Sequence, residues 1–198
     1  MKNLNVIFWS FTVALGGFLF GFDTAVISGA EGAIQKEWAL SNAMIGQIVA
    51  VALYGTVIGA LLGGWPAERF GRKTSLFWIG LLYLASAAGS ALAPDVYSLM
   101  LFRFIGGLGV GASSVVAPMY ITEVSPKEQR GRLVAFFQFN IVLGIMIAYI
   151  SNWLIGGGSW RLMLGVETLP ALAFVLLILK VPRSPRWLVV KREAYDEA

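Results

Sequence analysis

The sequence predicts an all-α membrane protein of six transmembrane helices, and three observations carry that prediction. Of 198 residues, 58% are apolar and only 13% are charged, against ~45–50% and ~25% in an ordinary soluble chain. The mean hydropathy is +0.75. So little charge cannot clothe a water-facing surface, which argues against a soluble enzyme, a nucleic-acid binder and a disordered tail. The apolar residues also fall into six runs of about 20, the length at which a helix crosses the hydrocarbon core of a bilayer. Nearly all the charges lie between the runs.

In order, the runs cover approximately 6–29, 44–64, 74–93, 97–120, 133–153 and 161–180. A backbone in lipid must satisfy its own hydrogen bonds, so each run reads as a helix. The connections hold Lys36 and Glu37; Pro66, Glu68, Arg69, Arg72 and Lys73; Pro94 and Asp95; Lys127 to Arg132; and Gly156 to Ser159. The first run, with Lys2 before it and Ser28-Gly29-Ala30 near its end, has the outline of a secretory signal peptide. Its apolar stretch from Asn3 to Phe22 exceeds the usual ~7–15-residue core, however, and five more spans follow. It reads as the first span.

Twelve of the 15 Lys and Arg lie at the N-terminus, in loops 65–73 and 123–132 and in the tail from 180, against Lys36 and Arg161 on the other side. The positive-inside rule then places both termini in the cytoplasm, with the chain in a cell membrane. The net charge of +4 is an orientation signal, not a nucleic-acid footprint. Cys and His are both absent, which leaves no disulfide framework, no thiol nucleophile and none of the commonest metal ligands. No nucleophile–base pair, metal set or phosphate loop is present, so no enzyme chemistry, metal or cofactor is expected.

Among the polar side chains inside spans, Asp23, Arg103, Glu167 and Gln138 stand out. A charge near the bilayer centre costs ~2.5–3.5 kcal/mol on insertion scales, so it faces a partner or a water-filled cavity. At 1.5 Å per residue, Asp23, Arg103 and Glu167 all lie about 9–10 Å below the outer ends of their helices. Two acids and one base at one depth, on three helices, form a candidate cluster. It is either a static ion pair with Glu167 bonded to a neighbour, or a proton site in which Arg103 holds the charge of Asp23. In the second case, a change in their separation changes proton affinity. Gln138, about 9 Å from the inner end of the fifth span, has donors and an acceptor suited to a hydroxylated ligand, or bonds a neighbouring helix.

Gly55, Gly59 and Gly63 on the second span and Gly107 and Gly111 on the fourth recur at four-residue spacing, the pattern that lets helix backbones approach closely. The glycines after Arg103 follow no strand and are not a pyrophosphate loop. Phe18, Phe20, Phe22, Tyr54, Tyr120 and Trp153 suit packing and interfacial anchoring better than stacking on a sugar.

The inner loops resemble a known family. Gly64-Trp65-Pro66-Ala67-Glu68-Arg69-Phe70-Gly71-Arg72-Lys73 resembles the signature between the second and third helices of the major facilitator superfamily. Arg103, Gly106-Gly107, Pro118-Met119-Tyr120, Glu123 and Arg130-Gly131 resemble the fourth-helix motif of its sugar porters. Trp160-Arg161 and Pro185-Arg186-Trp187-Leu188 look like two more sugar porter signatures, and Gly21-Phe22-Asp23 to Ser28-Gly29 resembles the first helix of the bacterial proton–sugar symporters.

The resemblance implies roles. Asp23 matches the proton-coupling aspartate, Arg103 its arginine partner, Glu167 the linked sixth-helix glutamate and Gln138 a glutamine that bonds sugar hydroxyls. Glu68, Arg69, Arg72, Glu123 and Arg130, with Arg186 of the last signature, fall in a cytoplasmic charge network that latches the outward-open state. Three departures stand out. Arg183 occupies a glutamate position of the P-E-S-P-R motif, which weakens the latch. Ile145 stands where xylose-type symporters have a second glutamine, as in the facilitative glucose transporters, which nonetheless lack the aspartate found here at Asp23. Finally, the family has twelve helices and this chain has six.

The implied fold is the N-terminal half of a twelve-helix carrier, a 3+3 inverted repeat, with residues 1–180 as the bundle and 181–198 as the start of a truncated cytoplasmic linker. The implied function is transport of a sugar, with proton symport by alternating access. A facilitative sugar or polyol uniporter and a non-transporting sugar sensor or partner subunit are the alternatives. Expected partners are a small sugar or polyol, protons, the lipid bilayer, and a C-terminal six-helix half or a second copy. Nucleic acid is not expected.

Overall fold

Helices α1 (Lys2–Glu37), α2 (Asn42–Leu62), α4 (Arg72–Ala91), α5 (Val96–Val124) and α6 (Arg130–Ile155) cross the molecule, joined by a sixth crossing split into α7 (Trp160–Gly165) and α8 (Thr168–Ile178). The short α3 (Gly64–Phe70) fills the connection between the second and third crossings, and α9 (Pro185–Trp187) leads into one π-type turn, Leu188–Arg192. This computed structural model describes residues 2–156 and 159–192, with side chains for 6–156 and 159–190. Gly157 and Gly158 of the expected fifth connection, and 193–198 of the expected linker, lie outside the described residues. Among the described residues, six crossings are long and apolar enough to span a membrane.

Where the elements end has local causes. The first crossing runs on past the expected 29 to Glu37 because Ala30 and Ile34 are buried in one cluster with Trp160. The Glu37 carboxylate then accepts from Trp160 Nε1 and Arg161 Nη1, both at 2.6 Å. Ser41 caps α2 by accepting from the Met44 N–H at 3.3 Å. Asp95 caps α5 in a reciprocal box with Ser98, and the Ser98 backbone N–H is the main cause that holds the Asp95 carboxyl below its ordinary 3.8. Gly71 separates α3 from α4 at φ 93°, a conformation that strains any residue with a Cβ. Its surroundings crowd one too, since a Cβ there would sit 3.2 Å from the Trp187 ring.

The sixth crossing is expected as one helix over 161–180 and is found in two pieces. Pro170 has no N–H to give Val166 and its ring would crowd that carbonyl. The Leu169 N–H turns to the Val166 carbonyl instead, at 3.2 Å, and Glu167 stands at the break.

Two helix pairs form the tightest seams, α1 with α6 and α2 with α5. They correspond to crossings one/five and two/four, so exchanging one for four and two for five turns one pair into the other, as an inverted repeat requires. In both seams backbone meets backbone. A Cβ on Gly107 or Gly111 would lie 2.1 or 2.0 Å from the Ala52 or Thr56 carbonyl oxygen, and one on Gly21 or Gly144 would lie 1.9 or 2.1 Å from that of Ile141 or Phe18. The four-residue glycine spacing thus does what it predicts for α2 and α5.

Candidate functional site

The interior of the bundle holds the three charges that the sequence places at one depth. Asp23 on α1 and Arg103 on α5 are each only 3% exposed, and Glu167 at the α7–α8 break is 2% exposed. Arg103 Nη1 donates to Asp23 Oδ1 at 2.9 Å and to the Asp23 backbone carbonyl at 3.2 Å. Glu167 lies within electrostatic reach of both partners, and its Oε1 has no hydrogen-bond partner among the described residues.

Room for this polar cluster comes from glycine. A Cβ on Gly106 would meet Ser86 Oγ at 2.3 Å and Asp23 Oδ1 at 3.3 Å, so the bare backbone one turn beyond Arg103 admits both groups. Tyr83 on α4, 0% exposed, is within electrostatic reach of both acids. Its hydroxyl is within side-chain hydrogen-bonding reach of Ser113, whereas Ser86 Oγ and Arg103 Nε have no hydrogen-bond partner among the described residues. The cluster therefore holds more donors and acceptors than it pairs. Sequence reading missed Tyr83, Ser86 and Ser113; Ser86 and Ser113 resemble any small residue in a membrane helix.

A cleft of about 260 Å³ between α1, α2 and α5 reaches the pair, with Asp23, Thr24, Thr56 and Arg103 among its lining residues. Leu53, 56% exposed, lines it as well. Gln138 stands apart on α6. It is exposed beside the buried Phe137 and makes no hydrogen bond among the described residues, which leaves its amide available at the surface of the bundle. Of the aromatics weighed as stacking surfaces, Phe22 and Tyr120 are fully buried, whereas Tyr54 and Trp153 are 63% and 79% exposed. The Tyr120 hydroxyl donates to the Pro182 carbonyl at 3.0 Å.

At the end of the bundle that carries most of the Lys and Arg, Arg72 Nη2 and Glu123 Oε1 are 3.0 Å apart. The Ser184 hydroxyl donates to Glu123 Oε2, and Arg72 Nη1 donates to the Ala67 carbonyl at 3.0 Å. The other charges expected in this network are held differently. Arg69 lies over the Trp65 and Phe70 rings at 5.2 and 5.7 Å, and Arg130 Nε donates to the Ser125 carbonyl at 3.2 Å. Arg186 lines a hollow of about 190 Å³ with Glu68 and Arg72. Glu68 is engaged through its backbone carbonyl, which accepts from Trp187 Nε1 at 2.8 Å. Among the described residues the network thus contains one ion pair, buttressed by Ser184 and Trp187, which the motifs did not single out for this role.

Known proteins resemble the chain over its whole length. It is 42% identical to the glucose transport protein of Synechocystis over 207 residues, covering 98% of this chain and 44% of the relative. With the D-xylose-proton symporter of Escherichia coli the identity is 40% over 223 residues, covering 94% of this chain and 45% of the relative. The solved structure of the major facilitator superfamily proton:xylose symporter XylE bound to 6-bromo-6-deoxy-D-glucose superposes on all of this chain and 49% of that one, with a TM-score of 0.93 at 37% identity. The chain thus spans about half the length of the relatives it matches. The model of the family described as sugar (and other) transporter matches residues 9–198, and the chain belongs to that family.

Proposed function

We propose that the chain forms one half of a proton-coupled sugar carrier, residues 1–180 being its six-helix unit. The observation that carries this reading is the buried Asp23–Arg103 pair with Glu167 beside it. A membrane interior tolerates such charges where they work, and the relatives include proton symporters for xylose, arabinose and galactose. The basic end faces the cytoplasm. A second six-helix half, or a second copy, covers the open face and completes the cavity, and alternating access rocks the two halves against each other.

In this mechanism a proton enters through the cleft lined by Thr24 and Thr56 and binds Asp23. Asp23, now neutral, no longer holds Arg103 by charge, and the guanidinium turns to Glu167 as its remaining acid. Loss of the α1–α5 ion pair loosens the contact between two crossings on the side from which the proton came. Gln138 bonds hydroxyls of the sugar, and the Arg72–Glu123–Ser184 contact closes the cytoplasmic end until it separates to release the load. Arg69, Arg130, Arg186 and Glu68 surround that latch without forming it.

The test is sugar uptake by vesicles holding the chain together with the half that completes it. Asp23→Asn should abolish accumulation driven by a proton gradient and spare exchange of sugar across the membrane. Undiminished accumulation by that variant would overturn the coupling role.

A further inference from the structure

Two hollows at the basic end share a wall. One, of about 620 Å³, is lined by Glu68, Arg69, Arg183 and Trp187 together with Phe70 and Thr74. The other, of about 280 Å³, is bounded by Phe70 and Thr74 again, then by Trp78, Ile79 and Leu82 of α4, with Gly63 and Ala112 also lining it. The first is cationic and the second apolar, and the two meet at Phe70 and Thr74.

The charge in the first hollow is unbalanced. Among the described residues the ion pairs are Arg72–Glu123, Arg103–Asp23 and Arg161–Glu37, so Arg69 and Arg183 have no acid. Lys73, whose ammonium donates to the Leu179 carbonyl at 2.8 Å, lies within repulsive reach of Arg183. Glu68 offsets one of these three cations. Arg183 is also the residue that departs from the family motif: an arginine stands where a glutamate is expected, which moves the local charge by two units toward the positive.

The second hollow is a groove. α2 and α4 both pack on α5 more than on each other, and small residues, Gly63 and Ala112, leave the space between them shallow but open. It follows α4 from Thr74 to Leu82, about 12 Å along the helix axis, from the charged end into the apolar zone. Trp78, 61% exposed, stands on its wall.

A free phosphate matches only the first hollow, and a neutral lipid only the second. We propose that the two together bind an anionic phospholipid, with its phosphate against Arg69 and Arg183 and one acyl chain in the groove along α4. Basic pockets between membrane helices are established sites for such headgroups, each cation near the surface contributing about a fivefold preference for an anionic lipid. The test reads binding alone.

The test uses the chain in phosphatidylcholine vesicles and quenching of Trp78 by lipids brominated in the acyl chain, isolated as the difference between the chain and its Trp78→Phe variant. With Lys73 and Glu68 offsetting each other, Arg69 and Arg183 give brominated phosphatidylglycerol an advantage of about 25-fold over brominated phosphatidylcholine. Arg183→Gln should reduce it to about fivefold and Arg183→Glu to near unity. The graded order separates loss of charge from loss of fold, since a misfolded variant would not scale with charge. Equal quenching by the two lipids, a preference unchanged in Arg183→Glu, or a preference abolished by inorganic phosphate at constant ionic strength would each overturn the proposal.

Discussion

Two alanines on one helix should move stability in opposite directions. At Gly21 a Cβ would stand 1.9 Å from the Ile141 carbonyl oxygen, whereas ordinary contact begins at 3.4 Å, so α6 must withdraw by about 1.5 Å. The obstacle is backbone on both sides, and no rotamer change relieves it. A radial gap of only about 0.5–1 Å already forfeits a quarter to a half of a dispersion contact. The same withdrawal opens Gly17 from Phe137 and Gly144 from Phe18. Overpacking of this kind costs about 1–3 kcal/mol, and Gly21→Ala belongs at the upper end of that range. At Gly32, on the same helix, nothing lies within 4 Å of the Cβ position. There alanine removes freedom from the unfolded chain and should stabilise by about 0.5–1 kcal/mol. Unfolding of the detergent-solubilised chain by titration with sodium dodecyl sulfate, followed by circular dichroism, reads both. If the two variants unfold together, close backbone contact is not what holds α1 to α6.

Arg103→Ala leaves Asp23 buried without its cation and should destabilise by about 3–5 kcal/mol. The double variant Asp23→Asn/Arg103→Ala should regain part of that loss in the same titration, and failure to do so would mean that packing of the arginine stem, not charge, matters. Asp95 makes a pH prediction. Its folded carboxyl titrates below the ordinary 3.8, so its capping contribution is complete above that value and is lost as pH falls through the lower, folded one. Asp95→Asn keeps a capping oxygen and should flatten the acid limb of the stability profile, which a pH series of the same unfolding curves would reveal.

How much of this was legible in the sequence depends on whether a residue's role is set by its own neighbours along the chain. The six crossings were readable because hydropathy is a local property, and the Asp23–Arg103 pair because a charge in an apolar run demands a partner at the same depth. The glycines of α2 and α5 announced their seam by spacing. Gly17, Gly21 and Gly144 carry an equal seam across two separated helices, and only the Gly17–Gly21 spacing hinted at it. The break in the sixth crossing was encoded in Pro170, but an apolar run masks a proline when hydropathy alone sets the span. Arg130 and Arg69 were legible as members of a charged surface, but their individual contacts were not. A charge motif shows which ions share a surface, while the pairing depends on side-chain reach, and here a nearby carbonyl and two rings compete successfully with the acids.

The arrangement of these features bears on how a proton could be felt at a distance. The α1–α6 and α2–α5 seams are backbone against backbone, so each pair is closely packed along its length. The Asp23–Arg103 bond joins one pair to the other, since α1 belongs to the first and α5 to the second. Its charge is thus placed between two closely packed pairs instead of within one, where a change in attraction would be absorbed by local side-chain motion. Glu167 and Tyr83 approach the pair from the remaining crossings, α7–α8 and α4, so a switch of Arg103 from one acid to the other would be registered by all the elements that meet in the core. Close packing in the seams and unspent hydrogen-bonding capacity in the cluster are therefore complementary. In the proposed carrier, protonation without the first would move a side chain, and with it a helix pair.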